Sequence, residues 1–348
     1  MPPRQALLPL LFLVGCATVP STEMRTVVVH NPTGAAVQLH KVVRDGFGAV
    51  RDLGDAAQID LVLPPGRYAL SVVDEGPRFA LPLLLRELGF EPPVQLELTV
   101  RPMVPAERDW CWVPAGLAVR GDALGIGQED ERPVSAVASD GFWLASHETT
   151  NADYVQFLNE VGMSNVDVTW LDLDGAKCRV QHSSKANEYT TDAPDLPVVT
   201  VSYAGAVAYC EWRTRKSGVR HRLPTEAEWE KAARGPGSRV YAYGDTFRTS
   251  AANQESGRLR PIRLWTPNGY GLYDMTGNAF EWCADSYVRG AYAGETASEP
   301  AEFRVLRGGS YVLDGIFCRN AMRMRLRPDV RADDVGFRAL RERRPDSR

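Results

Sequence analysis

Apolar and polar positions alternate in short runs near the start of the chain. Thr26-Val27-Val28-Val29, Val37-Gln38-Leu39, Ile59 to Leu63, Tyr68 to Val73 and Val94 to Val100 each have the period of a half-buried strand. Pro32-Thr33-Gly34, Pro64-Pro65-Gly66 and Pro92-Pro93 punctuate them, so the pattern predicts a small β-sandwich over residues 25–101. Beyond Arg101-Pro102 the period changes. Tyr154, Phe157, Leu158 and Val161 recur at helical spacing between Thr150, a capping residue, and Gly162, which predicts a helix from about Asn151 to Val161. A second helix starts after Ser202 and turns Tyr203, Ala206, Val207 and Cys210 inward. A third opens on a capping box, Thr225 with Glu228, and stops before Gly235. Long Gly-, Trp- and Tyr-rich segments separate these helices, and no period of solenoid length recurs. The whole reads as an α+β chain with little regular secondary structure in its larger part, residues 102–343.

Composition changes this picture little. With 348 residues, 44% apolar, 24% charged and a formal net charge of -4, the chain is long enough for two or three cores and has no basic excess to favour nucleic acid or an anionic membrane surface. The N-terminus adds more. Arg4 precedes the apolar run Leu7 to Val14, too short to span a bilayer, and the run ends in Leu13-Val14-Gly15-Cys16, which resembles a bacterial lipobox. The resemblance implies a signal peptide over 1–16, a lipidated (palmitate-type) Cys16, a tether over 17–24 and an exported, membrane-anchored lipoprotein. Ala17, in place of an inner-membrane retention Asp, places it by analogy in the periplasm on the outer membrane. Five further cysteines, Cys111, Cys178, Cys210, Cys283 and Cys318, are odd in number and contain no CxxC pair, so disulfide connectivity stays open. The five histidines, His30, His40, His147, His182 and His221, lack metal spacing and read as surface residues. Gly125-Ile126-Gly127 ends in Asp130 where a dinucleotide loop needs Gly, and no Walker loop or HExxH occurs.

Several motifs resemble the formylglycine-generating enzyme family, the sulfatase-modifying factors. In order they are Glu148-Thr149-Thr150-Asn151, Pro197 to Tyr203, Arg222-Leu223-Pro224-Thr225-Glu226-Ala227-Glu228-Trp229-Glu230, Pro267 to Met275, Gly277-Asn278-Ala279-Phe280-Glu281-Trp282, Arg307-Gly308-Gly309-Ser310-Tyr311 and Gly336-Phe337-Arg338. The resemblance implies that family's C-type-lectin-like fold, preceded by the small sandwich. Leu63-Pro64-Pro65-Gly66-Arg67-Tyr68 in turn resembles the hairpin of PEGA-type domains. Glu226, Glu228 and Glu230 suit the positive end of a helix, with Trp229 inward, and read as structural rather than catalytic. Arg323, Arg325 and Arg327 alternate as on a strand and read first as ion-pair partners of Asp or Glu, second as cleft residues.

For metals, the resemblance places one calcium ion on Asp274, the carbonyls of Gly277 and Ala279, and Glu281, all oxygen donors. Asn253 and Gln254 match the start of a second calcium site whose remaining loop is shortened, so one ion is expected. Glu148 also matches a metal-contacting position, although helix capping explains it equally. The family's oxidase chemistry rests on two cysteines that bind copper(I). Cys318 holds the second position and Leu313 the first, and an alkyl group cannot ligate a soft metal, so copper is not expected. Cys210 matches a family disulfide position whose partner is here Ala339. Two functions follow. One is a non-catalytic recognition or scaffold module for a protein or peptide partner, with Arg319, Arg323 and Asp314 as contact candidates. The other is a divergent oxidoreductase acting on protein cysteines, with Cys318 and Ser310 as its catalytic residues.

Overall fold

A computed structural model of the chain describes residues 24–31, 34–43, 46–64, 67–72, 76–82, 95–99, 109–122, 124–296 and 302–342. The lipobox, Cys16 and almost all of the tether lie outside the described residues. Strands β1 (Arg25–His30), β4 (Gln58–Leu63) and β7 (Gln95–Thr99) form one sheet in the order β4-β1-β7. β2 (Val37–Val43), β3 (Gly46–Gly54), β5 (Arg67–Val72) and β6 (Gly76–Pro82) form a second, ordered β3-β2-β5-β6. Val27, Val29, Leu61 and Leu63 of the first sheet and Val37, Leu39, Tyr68 and Leu70 of the second bury one shared core, as their alternation requires. Two of these strands carry no period-2 signal in the sequence. β3 begins on Gly46 and Gly48 and leaves Phe47 and Val50 exposed, and β6 opens on Gly76-Pro77 and ends on Pro82.

In the larger region, β8 (Trp110–Val113), β9 (Gly116–Arg120), β10 (Ser135–Ser139) and β11 (Phe142–Ala145) precede helix α1 (Asn151–Val161). Next come hairpin β12 (Val180–Ser183) and β13 (Glu188–Thr191), helix α2 (Tyr203–Ser217), β14 (His221–Arg222) and helix α3 (Glu226–Arg234). The last strands are β15 (Phe280–Ser286), β16 (Arg304–Arg307), β17 (Met324–Leu326), β18 (Val335–Gly336) and β19 (Leu340–Arg341). β19 enters between β14 and β11 in the sheet β14-β19-β11-β8, while β17-β16-β15-β18 forms a separate sheet. The helices start where their caps dictate. Thr150 and Asp153, and Thr225 and Glu228, exchange reciprocal capping bonds, and Ser202 accepts from the Gly205 N–H.

α1 and α2 pack Tyr154, Phe157, Tyr209 and Trp212 against Phe280, Trp282 and Phe337 in the main core, which also holds Cys210 and Ala339. A second cluster under α3 contains Trp229, Leu272, Cys283 and Val305. All five cysteines of the described residues are free thiols. The histidines depart from expectation. His40, His147 and His221 are buried, because each ring finds a partner inside: Ser71 Oγ, the Glu148 carbonyl and the Val219 carbonyl respectively.

The carboxylates of α3 are structural. Arg307, completely enclosed, donates to Glu226 at 3.2 Å and to Glu230 at 2.5 Å, and Arg234 reaches the other oxygen of Glu230 at 2.6 Å. Arg323 takes Glu226 in two bonds of 2.6 and 3.1 Å, and Arg222 takes Glu228 in two of 2.7 Å. Arg325 lies over the Tyr287 ring instead, and Arg327 pairs with Asp329 in the open. Burial acts to raise the Glu230 pKa, but the charges of Arg307 and Arg234 and the Gly121 N–H outweigh it and hold the carboxyl below its ordinary 4.5. Its contribution is therefore present above that value and lost as pH falls through the folded pKa. Glu230→Ala leaves Arg307 and Arg234 short of a buried counter-charge and should cost about 3–5 kcal/mol in urea unfolding at pH 7. A loss below about 1 kcal/mol would show that the network carries little of the stability.

Candidate functional site

After β16 the chain turns on two glycines at φ 97° and 77°. A Cβ on Gly308 would sit 3.2 Å from the Trp229 ring, and one on Gly309 would sit 2.4 Å from Cys318 Sγ, so the second glycine is what lets the thiol approach the backbone. Ser310 is buried and donates to Asp334 at 2.8 Å. The segment then runs outward through Val312, Leu313 and Asp314 and returns in a short turn over Gly315–Cys318, with Asp314 accepting from the Ile316 N–H. Cys318 is fully buried, and burial pushes its thiol up to about 12. Tyr241 and Tyr243, whose pKa values burial raises first, with Cys318 among the lesser causes, stack with centroids 5.4 Å apart, and Phe247 lies 6.0 Å from Tyr241. Phe247 covers Gly315 so closely that a Cβ there would fall 1.4 Å from its ring. Val312, Ile316, Phe317 and Phe247 are exposed, which leaves an apolar rim around the buried thiol.

The sequence-predicted residues divide. Cys318 and Ser310 come together, Sγ lying beside the Ser310 carbonyl. Leu313 packs at the edge of the main core. Cys283 belongs to the cluster with Trp229 and Val305, while Cys318 packs on Gly309, and the alkyl side chain of Leu313 offers no donor to a soft metal. Of the partner-facing candidates, Asp314 is exposed but Arg319 and Arg323 are not. Arg319 forms a fork with Glu131 at 2.7 and 2.8 Å, and Arg323 is held by Glu226, so neither has a donor face to offer.

The calcium candidates converge on Asn278. Its side chain accepts from Asn253 Nδ2 at 2.8 Å and donates to Glu148 Oε1 at 3.0 Å, and its N–H meets the Asn253 carbonyl at 2.8 Å. Gly277, at φ 77°, lies so close to that carbonyl that a Cβ would be 2.2 Å away. Asp274 accepts the Arg263 N–H through one oxygen, while its other oxygen, Glu148 Oε2 and Gln254 Oε1 are buried without a hydrogen-bond partner. Burial first, and mutual repulsion second, lift Glu148 well above the carboxylate range, and burial lifts Asp274 to about 6. Orphaned acceptors on two repelling carboxylates fit a cation. Glu281 is placed otherwise: Arg338 takes both its oxygens at 2.7 Å and Trp229 Nε1 takes one at 2.7 Å. Among the described residues no three His, Cys, Asp or Glu side chains form a ready cage, so carbonyl oxygens would have to complete the shell.

Sequence reasoning missed Tyr241, Tyr243 and Phe247 as part of this site. A Tyr-x-Tyr-Gly run was their one signal. A cavity of about 470 Å³ opens beside them at the junction with the sandwich, lined by Phe47, Arg239, Tyr243, Arg248 and Trp265 among others.

A domain of few helices, short sheets, a Gly-Gly turn under a buried cysteine and an asparagine-centred turn matches what the sequence motifs of the formylglycine-generating enzymes imply. The chain belongs to this family: the Sulfatase-modifying factor enzyme 1-like domain matches residues 98–343. The formylglycine-generating enzyme of Bos taurus is 31% identical over 286 residues, 67% of this chain and 74% of its own length. A mouse relative named inactive C-alpha-formylglycine-generating enzyme 2 is 39% identical over 166 residues, 41% of this chain and 48% of its own. The structure of PvdO from Pseudomonas aeruginosa superposes with a TM-score of 0.56 at 27% identity, covering 67% of this chain and 94% of that one.

Proposed function

We propose that this domain is a recognition module that has kept the family's cleft and lost its copper chemistry. A lone, fully buried, strongly protonated Cys318 ringed by exposed Val312, Ile316, Phe317 and Phe247 carries the reading. A buried thiol of raised pKa is a poor nucleophile, and an apolar rim of this kind suits a protein or peptide partner. The resemblance assigns the first copper position to Leu313, and its contact with the core leaves a hydrocarbon wall there. The mouse relative bearing the word inactive supports the idea that the fold persists without the reaction.

The same proposal includes export, attachment through a lipidated Cys16 on the periplasmic face of an outer membrane, and one calcium ion near Asp274 and Glu148. Cys16→Ser should move the protein from the membrane to the soluble fraction, and unchanged retention would remove the anchor. A calcium ion that binds the folded state alone stabilises it by mass action, so EDTA should lower the melting temperature. An identical melting curve with and without chelator would remove that site.

The competing reading is a divergent oxidoreductase acting on protein cysteines. Incubated with copper(I), oxygen and a CxPxR peptide, the wild-type protein should yield no formylglycine by mass spectrometry. Product that disappears in Cys318→Ser would overturn the recognition reading. Leu313→Cys separates the two ways of being silent: activity gained by it means that the missing ligand is the main defect, and continued silence means that the cleft itself has been reshaped.

A further inference from the structure

The lip of the cleft is held from outside its own domain. Asp245, 9% exposed at its side chain, receives the fork of Arg67 from the sandwich at 3.1 and 2.6 Å, Arg239 at 3.1 Å and the Val240 N–H at 3.0 Å. Arg67 also donates to the Ser238 carbonyl at 3.2 Å. Arg239 completes the junction by donating to the Val43 carbonyl at the end of β2, and its guanidinium lies 5.5 Å from the ring centre of Phe47 on β3. Three strands of the sandwich thus meet one segment, residues 238–245, which carries Tyr241 and Tyr243 and leads directly to Phe247.

That segment is also tied to the chain beside the thiol. The Val240 carbonyl accepts the Asn320 N–H at 2.8 Å, and Asn320 Nδ2 donates to the Arg239 carbonyl at 3.1 Å. Asn320 stands two positions after Cys318, so the contacts form a continuous path: sandwich, Arg67, Asp245, aromatic lip, Cys318 turn. Two domains joined through a modest polar surface move relative to one another by default. A bidentate arginine–carboxylate pair, mostly screened from water, opposes that motion far more than an exposed pair would.

We infer that Arg67 and Asp245 form an interdomain clamp through which the sandwich holds the aromatic lip over Cys318, making the sandwich a positioning element of the cleft. This deepens the recognition reading, yet its test needs no partner, so the clamp and that reading can fail separately. The full-length protein, wild type, Arg67→Gln and the control Lys41→Gln on an exposed position of β2, is alkylated under native conditions, and each cysteine is followed by mass spectrometry. Hydrogen exchange of residues 239–248 is recorded in parallel. Charge-assisted bonds of this kind are worth enough that losing them should speed alkylation of Cys318 roughly tenfold. Exchange at 239–248 should rise with it, while Cys210 in the main core stays at the wild-type rate. Lys41→Gln should match wild type in both readouts. Arg67→Gln with wild-type Cys318 labelling and wild-type exchange overturns the clamp. So does a rise at Cys210 in step with Cys318, which would mean general destabilisation rather than release of the lip.

Discussion

Arg307 is completely enclosed, and the glutamates that face it, Glu226 and Glu230, lie 81 and 77 positions earlier on one turn of α3. Taking an unpaired guanidinium out of water is prohibitive, so the strand carrying Arg307 and the helix carrying the glutamates have no low-energy alternative to this docking. Arg234 and Arg323 extend the set, and Arg338 does the same for Glu281 across β15 and the β18 turn. In a region with three helices and short strands, backbone ladders alone specify little. Buried arginine forks supply the long-range register, and everything at the cleft is placed relative to them.

The cleft follows from this frame. β16 delivers Gly308 and Gly309 immediately after Arg307, so the ion network fixes where the tight turn begins, and the turn fixes how near the Cys318 thiol lies to the backbone. Trp229 links the two centres: it packs against Gly308 and donates to Glu281, the partner of Arg338. The same geometry accounts for the raised pKa of the thiol, because Cys318 is buried against glycine backbone and its Sγ faces the Ser310 carbonyl.

What the sequence disclosed depended on whether the signal was local. The three helices were legible because Thr150, Ser202 and Thr225 cap them and Gly162 and Gly235 end the first and third. The sandwich core was legible from alternation at Val27, Val29, Leu61 and Leu63. β3 was not, since its apolar residues Phe47 and Val50 face outward. Arg323 read first as an ion-pair partner, yet neither its partner Glu226 nor Glu131, which claims the contact candidate Arg319, could be named, because both are distant in sequence. The Arg338 partner of Glu281 was likewise hidden, because it reaches the carboxylate only in the fold. His40, His147 and His221 found interior acceptors that no spacing rule reveals.

Whether the fold has outlived a copper site is tested more directly by metal binding than by any assay of product. A copper(I) titration against a competing chromophoric chelator, run anaerobically on wild type and Cys318→Ser, reports affinity and stoichiometry together. Wild type and variant should leave the chelator complex equally intact, since one buried thiol and the alkyl side chain of Leu313 cannot supply two soft ligands. Withdrawal of one copper(I) per chain by the wild-type protein, lost in Cys318→Ser, would contradict it.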